Sequence, residues 1–224
     1  MNFEDWFPLY LQITDSLKIN RMADYESSIL LRKFIHNSDE IIEPYRGRNA
    51  FIVGNGKNLK NVLGTISGGY VIVADSAIET YNRLYGNPDM IVTDLDGNMD
   101  SIIDAYNNGS FVFVHAHGDN MPAITKYAKY FSRGIATTQY IPMKYLYNYG
   151  GFSDGDRSAF LADHLGAPHI TLLGFDFKNV NMKPNYDQAA VSRKKIKLMW
   201  AEYLLGYLAK SRGTSMSTGD IIEI

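Results

Sequence analysis

The chain of 224 residues has no cysteine. That excludes disulfide stapling and thiolate metal sites, and it agrees with a reducing compartment. Charge of neither sign is in excess. With 22 basic against 24 acidic residues the formal net charge is -2, so no global field gathers long polyanions and any anionic ligand must be held by local groups. Nucleic acid is not an expected partner. No apolar run approaches the ~20 residues needed to span a bilayer, and the start Met1-Asn2-Phe3-Glu4-Asp5-Trp6 is acidic where a signal peptide would be basic. The expectation is a cytoplasmic protein with no membrane partner. Repeats and low-complexity tracts are absent too, and with 46% hydrophobic and 21% charged positions the chain has apolar mass for one substantial core.

Periodicity divides the chain. Residues 1–48 read as a helical amino-terminal segment, with Phe7, Leu17, Met22, Tyr25, Ile29, Leu30 and Phe34 near one face at three-to-four spacing. Pro44 to Asn49 break that pattern, and an α/β domain is expected over 49–224. Within it six short apolar runs, Ala50 to Val53, Tyr70 to Ala74, Met90 to Thr93, Phe111 to His115, Ile135 to Thr138 and His169 to Leu173, read as strands covered on both faces. Helical stretches at Leu59 to Ile66, Ala77 to Leu84, Met99 to Asn107, Met121 to Phe131 and Asp156 to Leu165 separate them. The alternation predicts a doubly wound, mostly parallel sheet with helices on both faces. A long helix from about Tyr186 to Lys210 closes the domain, and Ile221-Ile222 is a candidate edge strand.

In such a sheet ligands gather outside the carboxyl ends of the strands, and polar clusters fall there. Asp94 and Asp96 are two residues apart at a strand end, so both carboxylates can converge on a hard cation, of which magnesium is the expected one. The alternative is an ordinary acidic turn in which Gly97 takes up a positive φ. Gly54-Asn55-Gly56 lies between a strand and a helix, where backbone amides could approach a phosphate, although no dinucleotide fingerprint or G-x-x-x-x-G-K-[ST] run is present. A tight turn without a ligand explains it equally well. Asp75-Ser76 ends the second strand, and Gly174-Phe175-Asp176 the sixth.

Histidine is scarce, with five in the chain. His115 and His117 alternate on one strand, which suits a metal pair, but Asn120 stands where the hydrolase pattern H-x-H-x-D-H needs its last histidine. Contact with substrate or phosphate is the favoured role for the pair. Ser153-Asp154-Gly155-Asp156 opens a helix and fits an amino-terminal cap, with one carboxylate more than a cap requires. Gly150-Gly151 before it suggests a lid. The run Arg193-Lys194-Lys195-Lys197 reads as a solvated helix face, with contact to a triphosphate as the alternative.

Four segments carry a resemblance: Pro88 to Gly97, Val114 to Asn120, Gly151 to Arg157 and Leu173 to Asp176. Together, and in this order, they resemble the archaeal 6-hydroxymethyl-7,8-dihydropterin pyrophosphokinases, the MptE-like proteins, over most of residues 50 to 180. That family is distantly similar to thiamine pyrophosphokinases, whose D-x-D is followed by Ser where Gly97 stands here and whose K-D-x-T-D segment is reduced to Ser153-Asp154-Gly155-Asp156-Arg157. The departures favour the pterin enzyme.

The resemblance implies magnesium-dependent transfer of pyrophosphate from ATP to the hydroxymethyl group of a reduced pterin, with release of AMP. On that reading Asp94, Asp96 and Asp119 are metal ligands, and Asp119 or Asp156 is a further ligand or the base for the hydroxyl. His115 and His117 steady phosphate charge. Gly54, Asn55, Gly56, Asp75, Ser76 and Asp154 line the nucleotide site, and Asp176 pairs with the pterin edge. Competing readings are a thiamine pyrophosphokinase-like enzyme, a metal-dependent hydrolase built on His115 and His117, and a nucleotide or pterin sensor without turnover. For residues 1–40, docking onto the sheet and a contact between subunits of a homo-oligomer are equal alternatives.

Overall fold

The computed structural model describes residues 1–179 and 187–224. Two helices open the chain, α1 (Phe3–Leu17) and α2 (Arg21–Leu31), followed by a 3-10 segment over Asp39–Tyr45. Then come β1 (Ala50–Val53), α3 (Leu59–Val62), β2 (Tyr70–Ala74), α4 (Ile78–Tyr85), β3 (Met90–Thr93), α5 (Met99–Asn107), β4 (Phe111–Ala116), α6 (Met121–Tyr127) and β5 (Ile135–Thr138). A long connection leads to α7 (Asp154–His164), β6 (Ile170–Leu173), α8 (Gln188–Ser211) and β7 (Ile221–Glu223). All six expected strands form. Tyr186, the expected start of the last helix, lies outside the described residues.

The strands form one sheet of order β5-β4-β3-β2-β1-β6-β7, parallel except for β7, which pairs antiparallel with β6. Alternation along each strand divides the core. Ile52, Ile72, Val92 and Leu172 face α1, α7 and α8, whereas Val53, Val73, Ile91 and Leu173 face α3, α4, α5 and α6. The crossovers from β1 out to β5 therefore keep their helices on one face, and the return from β5 to β6 puts α7 on the other, as right-handed connections in both directions require. The order of winding reverses between the parallel neighbours β1 and β6. Fully buried side chains such as Trp6, Phe113 and Phe160 each contribute about 1.5–3 kcal/mol from burial.

Residues 1–40 dock onto the sheet. Trp6, Leu9, Tyr10, Ile13 and Leu17 of α1 join the core that α7 and α8 share, and Trp6 Nε1 donates to Gln139 O at 2.8 Å. The apolar stripe expected through α2 is corrected at its start: Met22 and Tyr25 are 61% and 41% exposed and the helix buries Asp24, Ser27 and Ser28 there, while Leu30 and Phe34 pack against the core as expected. Polar groups can be buried there because each has a partner. Ser28 Oγ meets Thr138 Oγ1 at 2.7 Å, and Ser27 Oγ donates to Asn120 Oδ1 at 3.2 Å. No described helix is long and apolar enough to cross a membrane.

Candidate functional site

The turn after β3 is shaped by its neighbours. Thr93 Oγ1 accepts from Leu95 N at 2.8 Å and donates to Asp75 Oδ2, at the end of β2. Leu95 is buried with φ +68, a left-handed conformation that is uncommon for a side chain of this size and that clusters at functional sites. The positive φ expected at Gly97 belongs to Leu95. Gly97 is needed for a different reason, because a Cβ there would lie 1.4 Å from Asp75 Oδ1.

This approach brings Asp75, Asp94 and Asp96 together, with one carboxylate oxygen of each within 4.8 Å of the others. Among the described residues this is the one group of acidic or histidine side chains close enough to share a metal ion. Asp75 Oδ1 and Asp94 Oδ1 are buried without a hydrogen-bond partner. Burial, reinforced by the charges of Asp94 and Asp96 and opposed by the Thr93 hydroxyl, pushes the Asp75 carboxyl up to about 7. Burial would raise Asp94 also, but the hydrogen bond from His117 and the charges of Arg157 and Lys197 hold it at about 2. Three hard oxygen donors, two of them on orphaned buried atoms, fit magnesium.

His117 Nε2 lies 3.1 Å from Asp94 Oδ2, and its Nδ1 accepts from Asp119 N at 3.3 Å, so the ring proton sits on Nε2 and points at Asp94. Asn120 clamps the same corner: its Nδ2 donates to Asp94 O at 2.8 Å and His115 O at 2.7 Å, and its Oδ1 accepts from His117 N at 3.0 Å. The residue in the hydrolase histidine's place is a structural clamp.

Asp94 and Asp96 open onto a cavity of about 710 Å³, with Asp75 buried outside its lining, and Gly54, Asn55, Gly56, Ser76, His117, Asp119, Asp154 and Asp176 line it as well. Several roles expected from the sequence change. His115 is fully buried behind the sheet end, its Nδ1 3.0 Å from Thr137 Oγ1. Burial, with Arg157 and His117 nearby, drives its proton affinity well below the usual range, so it is neutral and out of reach of a phosphate. Asp156 accepts from Phe152 N at 2.6 Å, Ser153 N at 2.9 Å and the Ser153 hydroxyl, and is fully buried. It caps α7 and cannot be base or ligand. Asp119 stands at the rim, its side chain 79% exposed and 3.5 Å from Arg193, outside the carboxylate cluster. Asp75 takes the third place expected for Asp119.

The Gly54-Asn55-Gly56 turn is not an amide cradle. Gly54 N donates to Leu173 O and Gly56 N to Gly174 O, while α3 behind the turn has only four residues and little dipole to offer. Glycine is required because a Cβ on Gly56 would lie 2.6 Å from Gly174 O, and one on Gly174 2.5 Å from Gly54 O. The lid expected at Gly150-Gly151 is packed down: a Cβ on Gly151 would meet Arg157 N and Cα at 2.6 Å. Asp176 lines the cavity, yet it is partly committed to its own turn, accepting from Lys178 N at 3.1 Å and Asn179 N at 2.9 Å.

Basic and aromatic groups complete the cavity. Arg193, Lys194 and Lys197 of α8 line the cavity, with Lys18 and Lys57 on further walls, while Arg193 and Lys195 remain exposed, so the basic run is in part the solvated face expected and in part a wall of the cavity. Burial lowers the Lys197 ammonium while Asp94 opposes the shift. Arg157 holds Asp154 Oδ1 at 3.0 Å and Gln139 Oε1 at 3.1 Å. Phe152, Phe175 and Phe177 supply an aromatic side. Helical spacing from Arg193 to Lys197 was the available signal for the basic wall.

Comparison with known proteins gives this geometry a family. The family described as 6-hydroxymethylpterin diphosphokinase MptE-like matches residues 27–182, more than half of the chain. The chain belongs to this family. A relative from Methanothermobacter thermautotrophicus named 6-hydroxymethyl-7,8-dihydropterin pyrophosphokinase is 37% identical over 94% of this chain and 97% of its own length. Relatives of the same name from Pyrococcus furiosus and Methanocaldococcus jannaschii are 35% and 32% identical, covering 80% and 93% of this chain and 80% and 96% of their own. The match of this MptE-like chain to its family contains Asp75, Asp94, Asp96, His117 and Asp154, whereas Asp24 and all of α8 lie outside the matched residues.

Proposed function

We propose that the chain transfers pyrophosphate from ATP to the hydroxymethyl group of 6-hydroxymethyl-7,8-dihydropterin, with magnesium held by Asp75, Asp94 and Asp96. The observation that carries the reading is the carboxylate cluster on one side of the 710 Å³ cavity with the basic wall of α8 lining it, in a chain of the MptE-like family. A cavity of this size is within the range that small-molecule sites occupy. The acidic side suits a cation and the basic side the phosphates it accompanies. Phosphoryl-type transfer depends mostly on positioning and charge neutralisation.

The acceptor hydroxyl oxygen forms a bond to the β-phosphorus as the bond from that phosphorus to the α,β-bridging oxygen breaks, and AMP leaves. Magnesium bound to the carboxylates would neutralise charge on the phosphate oxygens. Lys197, Arg193 and Lys194 attract the remaining negative charge. His117 donates to Asp94 and keeps its carboxylate turned to the cluster. Asp154, on the cavity wall and steadied by Arg157, is placed to take the hydroxyl proton. Phe152 and Phe175 offer apolar contact to a flat heterocycle.

The test is to mix the protein with ATP, magnesium and the hydroxymethyl pterin, and separately with thiamine, and to follow AMP. AMP is expected with the pterin alone. Release with neither acceptor overturns the reading, and release with thiamine alone reassigns the acceptor. Lys197→Met is expected to raise KM for ATP about tenfold, because a charge-assisted contact to phosphate is removed. Steady-state rates at saturating pterin measure this; an unchanged KM would remove Lys197 from the donor site.

A further inference from the structure

Asp24 is fully buried in α2, far in sequence from every strand end, and lines the cavity. Three donors converge on its carboxylate. Gly118 N, in the turn after β4, donates to Oδ1 at 2.7 Å; Gln139 Nε2, after β5, and Tyr10 OH, in α1, each donate to Oδ2 at 2.7 Å. The relay continues, because Gln139 Oε1 accepts from Arg157, and Arg157 holds Asp154. In the other direction Gly118 follows His117, which meets Asp94. One carboxylate thus fixes both the histidine beside the metal cluster and the arginine beside Asp154.

We infer that Asp24 is a positioning residue for the transfer reaction, through which α2 sets the geometry of the metal cluster and of Asp154. The inference rests on the pyrophosphokinase reading. An ionised carboxylate accepts on both oxygens, and such charge-assisted bonds are short and directional. No neutral side chain of the same shape can do the same: an Asn places an NH2 group against either Gly118 N–H or the Tyr10 and Gln139 donors. The close fit of Gly118 to α2 supports the coupling, since a Cβ on Gly118 would lie 2.6 Å from Ala23 Cβ. Apolar docking of α1 would anchor the segment without any of this.

The experiment compares Asp24→Asn with Tyr10→Phe in the full chain. Tyr10→Phe removes one donor to Asp24 but leaves the Gly118 and Gln139 bonds, so it controls for loosening of the helices. Asp24→Asn is expected to lower kcat about tenfold or more, the scale of losing an outer-shell partner of a metal site, with KM for ATP and pterin within about twofold. Tyr10→Phe keeps kcat within about twofold. A second readout needs no turnover: in proton–nitrogen spectra the Gly118 amide proton moves upfield in Asp24→Asn and stays in place in Tyr10→Phe. Should Asp24→Asn fail to fold, Gly118→Ala, which drives the turn from α2 with Asp24 intact, takes its place and is expected to show the same loss of kcat. Equal losses in both variants, or wild-type kcat in Asp24→Asn, overturn the inference. A wild-type protein without turnover would instead defeat the pyrophosphokinase reading, and the amide signal would still decide the contact.

Discussion

Replacing Asp94 with Asn lowers kcat about 10²–10³-fold, the scale of removing one electrostatic partner from a preorganised site, and leaves the fold intact. The two effects have opposite origins. Asp94 is held among Asp75, Asp96 and Asp154, and its charge raises the proton affinity of both Asp75 and Asp154. Removing it relieves repulsion on Asp75 and Asp154 but also removes a charge that His117, Arg157 and Lys197 stabilise, so the two effects offset and the thermal midpoint is expected within a few degrees of wild type, about 1 kcal/mol either way. Steady-state rates and a thermal melt on the same preparation check both halves. A variant that keeps near-normal kcat would show that these carboxylates do not hold the metal, and one that unfolds would show Asp94 to be structural.

Gly97→Ala is expected to have an effect of similar size by a purely steric route. The added methyl would sit 1.4 Å from Asp75 Oδ1 and 2.6 Å from its Cγ, and Asp75 is already held by Thr93 and buried. Either the carboxylate leaves the cluster or the turn after β3 shifts. Overpacking of this kind costs about 1–3 kcal/mol, and displacing a catalytic group by about 1 Å costs about 10²-fold in rate. Gly206→Ala in α8 is the control, because a Cβ there meets nothing within 4 Å and Ala is favoured over Gly in a helix by about 0.5–1 kcal/mol. The first variant is expected to lose turnover and melt lower; the second keeps turnover and melts higher. Wild-type rates in Gly97→Ala would mean that Asp75 does not belong to the working cluster.

The parallel sheet was legible because each strand is a continuous apolar run between helical stretches, and Met99–Asn107 came out with the expected ends. Asp94 and Asp96 were legible as a pair because they flank one residue at a strand end. What holds them together was not. Leu95 adopts a left-handed backbone where the sequence pointed to Gly97, and Asp75 reaches the cluster only because Gly97 has no side chain. Local pattern carries no record of such through-space fits.

The same reason explains the misread groups. Asp156 and Asp154 look alike in sequence, but Asp156 is consumed by the cap of α7 whereas Asp154 faces the cavity. His115 and His117 alternate in sequence, but His115 lies within β4 and only His117 lies beyond its end, where it reaches Asp94. The basic residues of α8 face the cavity because the helix returns across the sheet beside α1, where Trp200 Nε1 donates to Ser16 Oγ at 2.8 Å. In α2 the apolar period holds only at its end, where Leu30 and Phe34 pack against the core; Met22 and Tyr25 turn outward, and three buried polar residues find partners at the strand ends instead.

The most direct test follows the phosphates. With ATP labelled at the β-phosphorus, magnesium and the hydroxymethyl pterin, the label is expected to appear in the pterin product, with unlabelled AMP formed in equal amount and neither product formed when the metal is chelated. Label recovered as ADP, as inorganic pyrophosphate, or in a pterin product formed without a divalent cation would contradict magnesium-dependent pyrophosphate transfer at the Asp75, Asp94 and Asp96 cluster.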